Sequence, residues 1–95
     1  IEEKSQAAAI RRAGSALRHL HASGSDRGTP GNDHLDWPGI AAALRDIGYA
    51  GDVVIESFTP EVKSIARAAA IWRAIEPSPE RIARDGLRFL TQLFA

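Results

Sequence analysis

The stretch ALRHLHA, Ala16 to Ala22, decides how the rest of the chain is read. Its composition suits either a helix or a strand. On a helix, His19 and His21 would stand roughly 200° apart, on opposite sides. On a strand, Leu17, His19 and His21 share one face, because successive side chains alternate. The alternation favours a strand over Ala16 to Ala22. A second run, GDVVIESF (Gly51 to Phe58), is short, nearly continuously apolar and rich in β-branched residues. That pattern predicts a strand buried on both faces of a parallel sheet.

Helices separate and flank these strands. SQAAAIRRAG opens on Ser5 as a cap, continues through alanines of high helix propensity, and has Gly14 just past its end. Ser23 to Leu35 is too polar and glycine-rich for a packed element. Asp36 then caps a helix with Pro38 in its first turn; Trp37, Ile40, Leu44 and Ile47 share one face, and Gly48 ends it. Thr59-Pro60-Glu61 carries a helix-start signature, followed by Val62, Ile65, Ala69 and Trp72 at helical spacing. Ser78-Pro79-Glu80 repeats it and opens a last helix with Ile82, Leu87, Leu90, Leu93 and Phe94 as its expected buried side. The order helix, strand, helix, strand, helix, helix predicts an α/β fold with parallel crossover units. Two strands leave both sheet edges open, so further strands are expected upstream of Ile1, and the chain reads as a piece of a larger α/β protein.

Composition narrows the function classes. The 95 residues suffice for one small domain, and no secretory or lipidation signal is expected ahead of the polar IEEKSQ opening. There is no cysteine, which excludes disulfides, thiolate metal sites and a cysteine nucleophile. Twelve basic residues balance twelve acidic ones, without the basic stripe of a nucleic-acid binder. No apolar run is long enough to cross a bilayer. A cytoplasmic enzyme part or interaction module is expected, with neither nucleic acid nor membrane as partner.

In open α/β sheets and eight-stranded barrels, chemistry gathers at the carboxyl ends of strands. His21, Glu56 and Arg27 occupy that position here. Glu56 closes Val53-Val54-Ile55 and precedes Phe58, an apolar setting in which an unpartnered carboxylate is costly. A metal cation, a salt bridge to arginine or lysine, or exposure at a strand end would each resolve this. His21 as a lone histidine would read as a hydrogen-bonded core residue, whereas the H-x-H spacing offers one imidazole as ligand and His19 as support. His34 is expected to brace the loop. Arg27 is placed either to pair with Asp26 or Asp36, or to hold an anion or sugar hydroxyls. The glycines match neither G-x-G-x-x-G nor a P-loop. If consecutive strands are neighbours, about 4.8 Å apart, His21 and Glu56 can reach one divalent ion. One nitrogen with hard carboxylate oxygens suits manganese, magnesium or cobalt, and two ligands require others from elsewhere.

HLHASGSDRGTPGNDHLDW followed by ALRDIGYAGDVVIESF resembles the carboxyl-terminal part of ketose 3-epimerases of the D-tagatose and D-psicose 3-epimerase type, which are xylose-isomerase-like TIM barrels. The resemblance covers most of the chain. It implies that residues 1–95 are the last two β/α units and a terminal helix of a single (β/α)8 barrel whose earlier part lies outside this chain. It further implies a divalent metal, usually manganese, held by two glutamates, an aspartate and a histidine. By motif position His21 matches the metal-binding histidine, Glu56 a metal-ligating glutamate that is also a catalytic acid/base, and Arg27 a substrate-binding arginine; His19 would support His21. The other metal-binding aspartate, catalytic glutamate and substrate-contacting histidine would lie upstream. The implied reaction inverts C3 of a free ketose such as D-tagatose, D-fructose, D-psicose or L-ribulose through a cis-enediolate, with the metal as Lewis acid, in a homo-oligomeric enzyme, a dimer or tetramer. The alternatives are an aldose–ketose isomerase on the same barrel, a metal-dependent endonuclease of the same superfamily, and a non-catalytic helical interaction module.

Overall fold

In a computed structural model, residues 2–59, 61 and 63–95 are described. The first helix, α1 (Gln6–Ala13), starts where Ser5 Oγ accepts the Ala8 amide at 3.2 Å, and Gly14 (φ 52) ends it. A 3-10 turn over Gly14–Ala16 follows, closed by the Leu17 amide on the Gly14 carbonyl. That turn takes Ala16, and Leu17 to His19 carry no ladder partner among the described residues. The first strand, β1, is therefore only Leu20–Ala22, shorter than the Ala16 to Ala22 of the sequence pattern.

A long loop leads to α2 (Trp37–Asp46), capped by Asp36, whose carboxylate accepts the Gly39 amide at 3.0 Å, with Pro38 in the first turn. Its C-terminus closes on Gly48 (φ 64), with the Tyr49 amide bonding the Leu44 carbonyl and the Gly48 amide the Arg45 carbonyl. This is the glycine-terminated closure that the sequence marks. The second strand, β2 (Val53–Ile55), pairs parallel to β1 with Leu20 opposite Val53, His21 opposite Val54 and Ala22 opposite Ile55. The parallel β-α-β order follows the expectation. The burial does not: Val54 is 41% exposed, because among the described residues only β1 flanks β2 and nothing covers the face Val54 points to.

The next helix, α3 (Lys63–Ala68), is shorter than the Val62-to-Trp72 spacing implies; Pro60 and Val62 lie outside the described residues. The cause is Ala70 in left-handed conformation (φ 56). The Ile71 amide bonds the Ala66 carbonyl and the Ala70 amide the Arg67 carbonyl, and buried Ile71 packs back toward the helix end. Trp72 leaves the helical path and is 80% exposed; Ile65 is also exposed.

The last helix, α4 (Pro79–Leu93), starts on Ser78, whose hydroxyl accepts the Arg81 amide. Ile82, Gly86 and Leu90 form its buried row, with Phe89 and Leu93 packed beside it. Gly86 was not marked by hydrophobicity, yet it lets the helix approach Ile55 and Pro30, which a Cβ there would meet at 2.9 and 3.3 Å. Leu87 was expected inside but is exposed, since it is turned off the 82/86/90 row, and Phe94 is exposed past the helix end.

The core gathers Ala22, Trp37, Ile40, Leu44 and Leu90 between the strand pair and helices α2 and α4. Each large side chain buried there contributes about 1.5–3 kcal/mol. An Arg11–Asp46 ion pair (2.7 Å) joins α1 to α2 at the surface. Among the described residues no helix is long and apolar enough to cross a membrane.

Candidate functional site

The register of the strand pair brings His21 and Glu56 together. Val54 lies opposite His21, and Glu56, two residues further along, shares the face of Val54. The Glu56 amide bonds the Ala22 carbonyl at 2.9 Å, so the ladder continues one step past β2 and fixes the base of the side chain. Diagonal neighbours result, and His21 Nδ1 stands 2.9 Å from Glu56 Oε2. His19 packs edge-on against His21, ring centroids 4.8 Å apart at 76°, as shared strand faces require.

Neither ring nor carboxylate is buried. The side chains of His21 and Glu56 are 48% and 50% exposed, the strand-end exposure that was one of the ways open to accommodate Glu56. Its partner is the histidine, not an arginine or lysine. Arg27 makes no ion pair among the described residues. Asp26 instead accepts the Gly28 amide at 2.9 Å, and Asp36 is taken up by its helix cap. His34 Nδ1 contacts Ser25 Oγ at 3.1 Å within the loop.

The donor set can be tested against a divalent ion. Two ligands each about 2.1 Å from one ion, at right angles, lie about 3.0 Å apart. The 2.9 Å between Nδ1 and Oε2 is an ordinary hydrogen-bond length and is also compatible with that edge of an octahedron. One imidazole nitrogen and one carboxylate suit a hard or borderline cation such as manganese, magnesium or cobalt. Among the described residues no group of three or more histidines and acids could hold a metal, so this pair could fill at most two positions of such a shell.

Arg27 and Glu56 line one cleft of about 430 Å³ with Phe58, Ser64, Ile65, Ala68 and Ala69. A larger groove of about 500 Å³ adjoins it, between the segment after β2 and α4, but its lining is mostly apolar and includes neither Arg27 nor Glu56. The smaller cleft holds the charged and acid/base groups, and it is the candidate site.

The loop beneath Arg27 is stitched to the chain after β2. The Phe58 amide donates to the Arg27 carbonyl at 3.0 Å, and Ser57 Oγ donates to the Gly28 carbonyl at 2.7 Å. Glu76 accepts the Thr29 amide at 2.9 Å from the other side. Asp33 accepts from the Gly31 and Leu35 amides and from Trp37 Nε1, tying the loop to the core. The sequence reading missed Ser57, Phe58 and Glu76. The local signals were Asp26 two residues before Gly28 and Asp33 two residues from Gly31 and Leu35; the contacts of Ser57 and Glu76 link residues 29 and 47 apart.

The family model of the xylose isomerase-like TIM barrel matches residues 1–93. A Synechocystis protein named "Probable ketose 3-epimerase" is 45% identical over 94 residues, 99% of this chain and 33% of the relative. A solved L-ribulose 3-epimerase superposes with a TM-score of 0.90 at 32% identity, covering 98% of this chain and 32% of that one. A D-psicose 3-epimerase from Clostridium cellulolyticum, solved with D-tagatose, gives a TM-score of 0.86 at 36% identity over 99% of this chain and 34% of that one. The chain spans about a third of the length of the curated relatives it matches.

Proposed function

The chain belongs to the xylose isomerase-like TIM-barrel family, and on that premise we propose that it supplies part of the active site of a divalent-metal-dependent ketose 3-epimerase. The observation that carries the reading is the 2.9 Å approach of His21 Nδ1 to Glu56 Oε2 beside a cleft that Arg27 also lines. The relatives named for epimerisation of ketoses, D-psicose and L-ribulose support the substrate class.

His21 and Glu56 would hold a divalent ion, manganese first, with further ligands from outside this chain. When bound, such an ion supplies Lewis-acid polarisation of the ketose carbonyl. Glu56 is the acid/base. The Glu56 oxygen beside His21 Nδ1 would face the ion, which leaves Oε1 to take the proton from C3 as the C–H electron pair passes into the enediolate. A second acid, outside this chain, returns a proton to the opposite face of C3, and the stereocentre inverts. Arg27 holds the sugar oxygens with its permanent positive charge and steadies the oxygen-rich intermediate. His19 keeps the His21 ring oriented through their edge contact.

The test is product analysis on the full-length protein with Mn2+ and D-psicose in D2O. The reading expects the C3 epimer with deuterium at C3, and a loss of roughly 10²–10⁴ in turnover for Glu56→Gln. An aldose product would transfer the site to C1–C2 isomerisation. Near-parental turnover by Glu56→Gln would remove Glu56 from the chemistry.

A further inference from the structure

Arg27 has φ 69, in the left-handed region that residues with a Cβ seldom occupy. Such a conformation persists only where neighbouring bonds over-determine it. Three of those bonds are local to the loop: the Arg27 amide to the Gly24 carbonyl (3.0 Å), the Gly24 amide to the Gly28 carbonyl (3.0 Å), and the Gly28 amide to Asp26 Oδ1 (2.9 Å). Two more arrive from the chain after β2. The Phe58 amide reaches the Arg27 carbonyl at 3.0 Å, and Ser57 Oγ reaches the Gly28 carbonyl at 2.7 Å.

We infer that Ser57 is a positioning residue, whose hydroxyl pins the Gly28 carbonyl and so keeps Arg27 in its left-handed turn beside the Glu56 carboxylate. The placement follows from the extended backbone past β2. Successive side chains leave it on opposite faces, so Glu56 turns to the His21 side and Ser57 to the loop. One dipeptide thereby supplies the acid/base and sets the distance from it to the sugar-holding arginine. Ser57 is part-buried, and its hydroxyl bond to Gly28 spans 29 residues of sequence. The loop's own turn hydrogen bonds close it upon itself. Among the described residues only Ser57 and the Phe58 amide tie this turn to the segment that carries Glu56.

The inference rests on the proposed function for its kinetic consequence, but the anchor itself is readable without turnover. In the full-length protein, Ser57→Ala and Ser57→Thr are compared with the parent by amide hydrogen exchange and by Mn2+-supported kinetics on D-psicose. Ser57→Ala is expected to speed exchange of the Phe58 amide roughly two- to tenfold, the worth of one hydrogen bond, while the Glu56 amide on the Ala22 carbonyl keeps its parental rate. KM for the ketose should rise by a similar factor with kcat falling less. Ser57→Thr, which keeps the hydroxyl, should restore both. Added to Arg27→Ala, Ser57→Ala should change KM no further, because it acts through Arg27. Plain destabilisation would instead lower kcat through the active fraction at constant KM, and that outcome overturns the inference, as does an unchanged Phe58 exchange rate or an additive effect with Arg27→Ala. A parent that epimerises no ketose overturns the proposed function alone, and the Phe58 exchange rate then decides the anchor by itself.

Discussion

Replacing Arg27 by glycine should move stability and activity in opposite directions. At φ 69 the arginine Cβ crowds its own backbone, a cost of roughly 1–2 kcal/mol. Glycine removes that cost but loses roughly 0.5–1 kcal/mol through the greater freedom of its unfolded chain. The net is a gain of about 0–1.5 kcal/mol, because the exposed guanidinium has no ion pair among the described residues to give up. At roughly 2–4 °C per kcal/mol for a domain of 150–250 residues, Tm should hold or rise by up to about 6 °C. Activity should fall, since a charge-assisted hydrogen bond to the substrate contributes about 1.5–3 kcal/mol, or roughly 10- to 150-fold in kcat/KM. Arg27→Ala is the control: it removes the same guanidinium but keeps the strain, so it should match the glycine variant in activity and the parent in Tm. Thermal unfolding with ketose kinetics on the full-length protein reads both quantities. If the glycine variant melts several degrees lower, the side chain is structural. If it turns over like the parent, the arginine does not touch the sugar. Either result refutes the reasoning.

His21→Ala should weaken Mn2+ binding, measured by electron paramagnetic resonance titration, with activity partly restored at excess metal; Arg27→Ala should leave Mn2+ affinity at the parental value. Gly31→Ala should destabilise by about 2–5 kcal/mol in urea unfolding, because the residue has φ 92 and its Cβ would sit 2.5 Å from the Phe89 ring, which is itself stacked edge-on against Trp37. A loss of unfolding free energy below that range would show that Phe89 can turn aside.

Features that depend on a few neighbouring residues were legible in the sequence. Ser5, Asp36 and Ser78 each cap a helix because a side-chain oxygen reaches an amide three residues on, an interaction contained within a tetrapeptide. The end of α2 was legible because glycine stands at its left-handed position. The end of α3 was not, because alanine occupies the equivalent place at Ala70 and the spacing of Ile65, Ala69 and Trp72 suggested a longer helix. His19 and His21 share a face for the same local reason: the period of an extended chain is two.

What needed the tertiary structure was everything decided by register and distance. A parallel pairing shifted by one residue would have turned Glu56 away from His21, and nothing in either segment by itself sets that register. The partner of the Glu56 carboxylate, the backbone of Arg27 and its tie to Ser57 all depend on two segments separated by the whole of α2. Hydrophobic periodicity ranked Leu87 above Gly86, yet the helix lies against Ile55 through the residue that has no side chain to pack. Propensity and capping are energies of neighbours along the chain, and the sequence displays them directly. Close approach is an energy of neighbours in space, and those neighbours exist only once β1, β2 and α4 have come together.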